Sequence, residues 1–280
     1  MMQKIIFLDI DGTLVNEKGM IPESAKLAVR KARENGHIIY LCTGRSRGEI
    51  FDDILSVGFD GLIGGAGCYI EVEKQALFHE KFKKTDAQQI LDFFYQKGID
   101  FYLETNTGLF ASENCKQNVF GFIEKLKTNN PDFLKEIEKG IVPFYEALIE
   151  GEELIREDIN KIVFLDSAIP IDSVMQEFEA RYTVIPSTVP VFGSNSGEIS
   201  LLGINKATAI EKVLARLNIT KENAFAYGDS FNDIEMLQFV QHGIAMGNAH
   251  EIVKSVADDV TEAVDENGIY NSFEKYGLIG

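Results

Sequence analysis

Three short apolar runs, separated by two helix-patterned segments, constrain this fold more than any other feature. Residues 4–10 (KIIFLDI), 37–42 (HIIYLC) and 61–65 (GLIGG) are β-branched or apolar almost throughout. Between the first two, Pro22 opens a helical pattern carried by Ala25, Ala28, Val29 and Ala32, and Gly36 stops it. Proline at the first helical position and glycine just past the last one are the expected asymmetry. Strand–helix–strand order with strands apolar on both faces means a parallel sheet covered on both sides. A second helix is expected over residues 47–57.

The pattern then changes. Residues 68–72 and 76–80 read as a hairpin. From 83 to 190, strands (99–104, 109–112, 161–165, 182–185) come in pairs between helices (87–97, 115–127, 171–181), the mark of a separate α+β unit. The parallel pattern is expected to resume near Gly197, with helices over 206–217, 233–239 and 250–256 and strands over 224–227 and 243–245. The fold class is therefore α/β: a Rossmann-like parallel sheet domain built from residues 1–82 and 191–280, with a second, α+β domain (83–190) inserted in its middle. A chain of 280 residues is long enough for two such cores.

Charge narrows the partners. There are 27 Lys and Arg against 44 Asp and Glu, a net charge of −17. Residues 83–190 hold 19 acids and 11 bases, so neither part is a basic surface. Nucleic acid and anionic membranes are excluded as partners, because phosphate backbones need clustered Lys and Arg. Cys42, Cys68 and Cys115 are scattered, with no CxxC pair, which argues against a disulfide framework or a structural zinc site. The opening apolar run is too short for a signal segment and no run reaches about 18 apolar residues, so a cytoplasmic protein is expected.

Four motifs fall at predicted strand ends or helix starts. The first is Asp9-Ile10-Asp11-Gly12-Thr13. Residues i and i+2 on an extended chain face the same way, so Asp9 and Asp11 project together while Ile10 points back to the core. Two carboxylates this close stay ionised only beside a cation, and a hard divalent ion with oxygen ligands, Mg2+, is the natural partner next to phosphate. The second is Thr43-Gly44-Arg45, whose hydroxyl and backbone N–H groups suit a phosphoryl oxygen. The third is Lys206, which read alone is a solvated lysine and read with the others neutralises phosphate charge. The fourth is Gly228-Asp229-Ser230-Phe231-Asn232-Asp233, after the strand AFAY. In open α/β sheets ligands bind outside the carboxyl ends of the strands, where all four would meet.

Taken together, these motifs resemble those of the haloacid-dehalogenase superfamily of phosphohydrolases. DIDGT is similar to its first motif, TGR to its second, Lys206 to its third and GDSFND to its fourth. The long insertion between the second and third resembles the C2-type cap of the Cof-like hydrolases. Glu198-Ile199-Ser200 and Asn248-Ala249 with Lys254 and Ala257 are further matches, and the likeness covers nearly the whole chain. One departure is visible: where such proteins often carry Asn-Gly-Ala after the third strand, this chain has Gly64-Gly65-Ala66.

The resemblance implies an Mg2+-dependent phosphatase acting on small phosphorylated metabolites through an aspartyl-phosphate. Asp9 would be the nucleophile and Asp11 the general acid and base. Asp9, Asp229 and the Asp11 backbone carbonyl would hold the metal, with Asp233 behind them ordering metal-bound water. Ile10 and Gly44 (through backbone N–H groups), Thr43, Lys206 and Asn232 would bind the phosphoryl oxygens. A phosphomutase on the same core, or a phosphate-binding regulatory protein, are the alternatives. Oligomeric state is not legible. Gly65-Ala66-Gly67 lacks the third glycine of a dinucleotide fingerprint, and the four histidines have no metal-ligand spacing. Phe93, Phe94, Tyr95 and Phe101 read as core of the inserted domain, and residues 150–158 as a solvated charge run.

Overall fold

The computed structural model describes residues 2–129, 134–187 and 192–280. Contacts divide them into two compact units: Met1–Arg45 with Ile50–His79 and Ile204–Gly280, and Ser46–Glu49 with Glu80–Gly203.

The first unit begins with β1 (Ile5–Leu8), α1 (Glu23–Glu34), β2 (Ile38–Cys42), a short α2 (Asp52–Leu55), β3 (Gly61–Gly64) and the hairpin β4 (Tyr69–Val72) and β5 (Gln75–His79). All four residues of β1 are fully buried. Their alternation feeds two cores: Ile6 and Leu8 join Ala25, Ala28, Val29 and Ala32 of α1, while Ile5 and Phe7 face the opposite layer. That is the burial on both faces that a parallel sheet with flanking helices requires. The helix expected over 47–57 is instead a 3₁₀ turn, Arg47–Glu49, followed by one turn of α2.

The second unit contains α3 (Lys84–Lys97), β6 (Asp100–Thr105), β7 (Leu109–Ala111), α4 (Cys115–Asn129), α5 (Leu134–Ala147), β8 (Leu148–Ile149), β9 (Ile159–Leu165), α6 (Ile171–Phe178), β10 (Tyr182–Pro186) and β11 (Gly197–Leu201). Its sheet runs β10-β11-β9-β6-β7-β8. Phe94 and Phe101 are buried in its core with Phe164 and Phe178, as the aromatic pattern predicts, whereas Tyr95 lies exposed. The expected boundary between residues 190 and 191 lies outside the described residues. The parallel pattern expected to resume near Gly197 does not begin there: β11 belongs to this unit and pairs antiparallel with β10 and β9. A short strand such as GEISL does not encode which sheet it joins, so the pattern could not decide this. Residues 46–49 also belong to this unit, where the Asn160 amide donates to the Ser46 hydroxyl at 3.0 Å.

The chain returns to the first unit with α7 (Lys206–Leu217), β12 (Ala224–Gly228), α8 (Ile234–Phe239), β13 (His242–Ala245), α9 (Glu251–Val256), β14 (Asp259–Val260) and α10 (Gly268–Lys275). The completed sheet runs β14-β13-β12-β1-β2-β3-β4-β5, parallel from β14 to β3 and antiparallel at the β4–β5 hairpin. β1 is central, with β12 on one side and β2 on the other. No helix among the described residues is long and apolar enough to cross a membrane.

Candidate active site

Strand register sets the site. Leu8 lies opposite Tyr227 of β12 and Leu41 of β2. β1 ends at Leu8, and β2 and β12 each end one residue beyond that level, at Cys42 and Gly228, so Asp9, Thr43 and Asp229 all follow directly on the carboxyl ends of neighbouring strands. The Asp9 N–H still donates to the Tyr227 carbonyl at 3.0 Å. Beyond it the loop turns sharply. The N–H groups of Leu14 and Val15 both donate to the Ile10 carbonyl, and Gly12 adopts φ +78°. A Cβ on Gly12 would lie 2.3 Å from Asp229 Oδ2, so only glycine lets the two loops approach this closely.

Lys206 is the electrostatic centre. It is the first residue of α7, whose N-cap Asn205 forms a capping box with Thr208. Its ammonium donates to Asp9 Oδ1 at 2.7 Å and to Asp233 Oδ1 at 2.5 Å, and the side chain is 0% exposed. Burial opposes its charge, but Asp233 and Asp9 outweigh burial and raise its pKa. Burial and then Asp233 push the Asp9 carboxyl well above the usual carboxylate range, against the pull of Lys206. Asp229 is pushed up to about 6 by burial and then Asp233, against hydrogen bonds from Thr13 and Ser230.

Asp233 is saturated. Its Oδ2 accepts the N–H groups of Asp229 (3.0 Å) and Ser230 (2.9 Å), and its Oδ1 accepts Lys206. A Cβ on Gly228 would meet the Asp233 side chain at 2.5 Å. Asp233 thus folds the GDSFND loop onto itself and fixes the direction of Asp229. The Asp229 carboxylate accepts the hydroxyls of Thr13 (2.9 Å) and Ser230 (3.1 Å).

The donor set fits a divalent cation. Oxygens of Asp9, Asp229 and Asp233 all lie within 4.8 Å of one another. Among the described residues Asp9 Oδ2 accepts no hydrogen bond, so one oxygen of that carboxylate is available. Asp233, with both oxygens engaged, is a support for the other two. The Asp11 side chain is not part of this group. It turns outward and takes a two-pronged ion pair from Arg45, Nε to Oδ2 at 2.8 Å and a terminal nitrogen to Oδ1 at 2.5 Å.

The expected anion-binding groups are placed as follows. The buried Thr43 hydroxyl accepts the Arg45 N–H at 3.1 Å, which leaves its own proton to donate. A Cβ on Gly44 would stand 3.3 Å from the Asn232 amide nitrogen, so the second and fourth motifs adjoin. The N–H groups of Ile10 and Gly44 donate to no group among the described residues. Sequence reasoning missed the Arg45–Asp11 clamp and the linking role of Asn248. The Asn248 amide donates to the Gly12 carbonyl at 2.8 Å and its oxygen accepts the Val264 N–H at 3.0 Å. An arginine two residues after a buried threonine was the only available signal for the clamp.

Comparison with known proteins agrees with this geometry. A family model described as haloacid dehalogenase-like hydrolase matches residues 6–273. The 5-amino-6-(5-phospho-D-ribitylamino)uracil phosphatase YcsE of Bacillus subtilis is 30% identical over 278 residues, covering 98% of this chain and 96% of its own. Phosphatase YwpJ of the same organism is 27% identical, over 95% of this chain and 97% of its own. A solved haloacid dehalogenase-like hydrolase from B. subtilis superposes with a TM-score of 0.78 at 25% identity, covering 97% of this chain and 99% of its own. The chain belongs to the haloacid dehalogenase-like hydrolase family and is a phosphoric monoester hydrolase of that type.

Proposed function

We propose that this protein is an Mg2+-dependent phosphatase of small phosphorylated metabolites that works through an aspartyl-phosphate on Asp9. The observation that carries the reading is the fully buried Lys206 ammonium shared between Asp9 and Asp233, beside Asp229. A lysine so placed aims a carboxylate and neutralises incoming phosphoryl charge together.

Asp9 attacks phosphorus as the bond to the leaving oxygen breaks, splitting one difficult displacement into two easier ones. Asp11 gives its proton to the leaving alkoxide, then takes one from the water that attacks the phospho-Asp9, releasing phosphate and free Asp9. For this Asp11 must swing away from Arg45, which holds it in the structure. The Thr43 hydroxyl, the Asn232 amide, the Lys206 ammonium and the N–H groups of Ile10 and Gly44 orient the phosphoryl oxygens. Asp9 and Asp229 are the side chains that would hold Mg2+, joined by the Asp11 carbonyl, and Asp233 holds Asp229 in place. When bound, Mg2+ keeps Asp9 and Asp229 ionised and offsets phosphoryl charge. The second unit (Ser46–Glu49 with Glu80–Gly203), which takes in the 83–190 insertion, is assigned as the cap, and choice of leaving group is assigned to it.

The test is phosphate release from p-nitrophenyl phosphate with Mg2+. Asp9→Asn should fall to background, and turnover equal to that of the unsubstituted protein would sink the nucleophile assignment. A hexose phosphate that isomerises without releasing phosphate would point to a mutase instead.

A further inference from the structure

Three consecutive residues after β3 have positive φ: Gly65 (+56°), Ala66 (+53°) and Gly67 (+113°). Ala66, with ψ +28°, sits in the left-handed region that costs an L-residue energy. Two backbone bonds hold the turn there. The Gly65 N–H donates to the Arg45 carbonyl at 2.8 Å, and the Ala66 N–H donates to the Thr43 carbonyl at 3.0 Å. On its other side the turn meets the start of α7. A Cβ on Gly67 would lie 2.4 Å from the Asn205 carbonyl oxygen and 2.8 Å from its carbon. That carbonyl is already fixed as acceptor of the Ala209 N–H and the Thr208 hydroxyl.

We propose that the left-handed Gly65–Ala66–Gly67 turn is a positioning element for catalysis. It locks the Thr43–Gly44–Arg45 turn to the root of Lys206, and Gly67 sets how closely Lys206 approaches. The proposal rests on the reading of Lys206 as a phosphoryl-binding group. The two bonds hold both ends of the Thr43–Arg45 segment from one side. The missing Cβ at Gly67 lets Asn205, and the lysine after it, seat against the other. A Cβ there must push the Asn205 carbonyl outward by more than half an ångström, roughly, to reach ordinary contact. Because the Lys206 ammonium sits at 2.7 Å and 2.5 Å from two carboxylates, it has no slack to absorb that shift. The strain at Ala66 is then retained because the geometry it enforces is used.

Gly67→Ala in the full chain tests this, with kcat on p-nitrophenyl phosphate and inhibition by inorganic phosphate measured per folded molecule. The expected result is at least a tenfold loss in kcat and at least a fivefold weaker phosphate inhibition. Gly243→Ala is the control. Its Cβ would lie 2.0 Å from the Leu237 carbonyl, with Leu237 backbone and no atom of the Thr43–Arg45 turn or of Asn205 as its nearest neighbours, so it strains a close backbone approach away from the proposed lock. It should leave both constants within twofold for the folded fraction. Gly67→Ala with both constants within twofold of the unsubstituted protein overturns the proposal, as does an equal loss in Gly243→Ala. Should Gly67→Ala not fold, Ala66→Val raises the cost of the left-handed turn more gently. It must then show the same paired loss, and unchanged constants refute the idea. Lys206→Met separates the two levels of inference. If it is inactive while Gly67→Ala is normal, positioning alone fails. If it is fully active, the reading of Lys206 fails as well.

Discussion

Lys206→Met asks how much of the first unit's stability and chemistry passes through one ammonium. Methionine matches the length of the lysine stem and keeps its packing, so the change removes charge with little loss of volume. In the structure that charge is wholly buried and lies 2.7 Å from Asp9 and 2.5 Å from Asp233. Removing one partner of a buried ion pair leaves the other charge uncompensated and costs about 3–5 kcal/mol. Here two carboxylates are stranded, although Asp233 keeps two backbone donors that soften the loss. The lower half of the range, about 3 kcal/mol, is therefore expected without Mg2+. Urea unfolding at pH 7.5, read with and without Mg2+, measures it. The cation should recover part of the loss, because it binds the folded carboxylates and not the unfolded chain. Phosphate release should fall at least a hundredfold. A loss under about 1 kcal/mol would refute the reasoning, because it is the size of an exposed pair and not a buried one.

Three further outcomes are expected. Gly12→Ala should cost about 2 kcal/mol and abolish phosphate release, since it combines a left-handed φ with a Cβ 2.3 Å from Asp229; urea unfolding and the same assay check it. His37 is buried, its Nδ1 accepts the Lys4 N–H at 3.1 Å, and burial lowers its pKa. Its neutral form is the one the fold accepts, so this contribution is complete above the unfolded pKa of about 6.5 and is lost as pH falls through and below it. His37→Asn keeps an acceptor and does not titrate, so its urea midpoint should fall less than that of the unsubstituted protein between pH 7.5 and 5.5. A chelator should bring phosphate release to background, and added Mg2+ should restore it.

Much of the first unit was legible because its signals are local. Apolar runs such as residues 4–10, and the spacing of Ala25, Ala28, Val29 and Ala32, report burial within a few residues of chain. A strand end followed by Asp-x-Asp-Gly or Gly-Asp-x-x-Asn-Asp carries its own turn chemistry. The expectation that the parallel pattern resumes near Gly197 failed because a strand's own residues do not encode its direction or its partners, and β11 runs antiparallel to β10 and β9. The helix expected over 47–57 shortened because local propensity yielded to what 46–49 packs against, in the second unit.

By itself the sequence determined which residue types reach the ends of β1, β2 and β12, since strand direction and side-chain alternation follow from the chain alone. Only the tertiary structure decided what each became. Lys206, by sequence an unremarkable lysine at a helix start, is the buried bridge between carboxylates 197 and 27 positions away. Asp11, by sequence the twin of Asp9, turns outward to Arg45, 34 positions on. Gly65-Ala66-Gly67, by sequence a failed nucleotide fingerprint, is the turn on which two of the motifs meet. The physical reason is common to all three. Burial and Coulomb energy depend on distance in space, and the strand register that fixes those distances is a property of the assembled sheet.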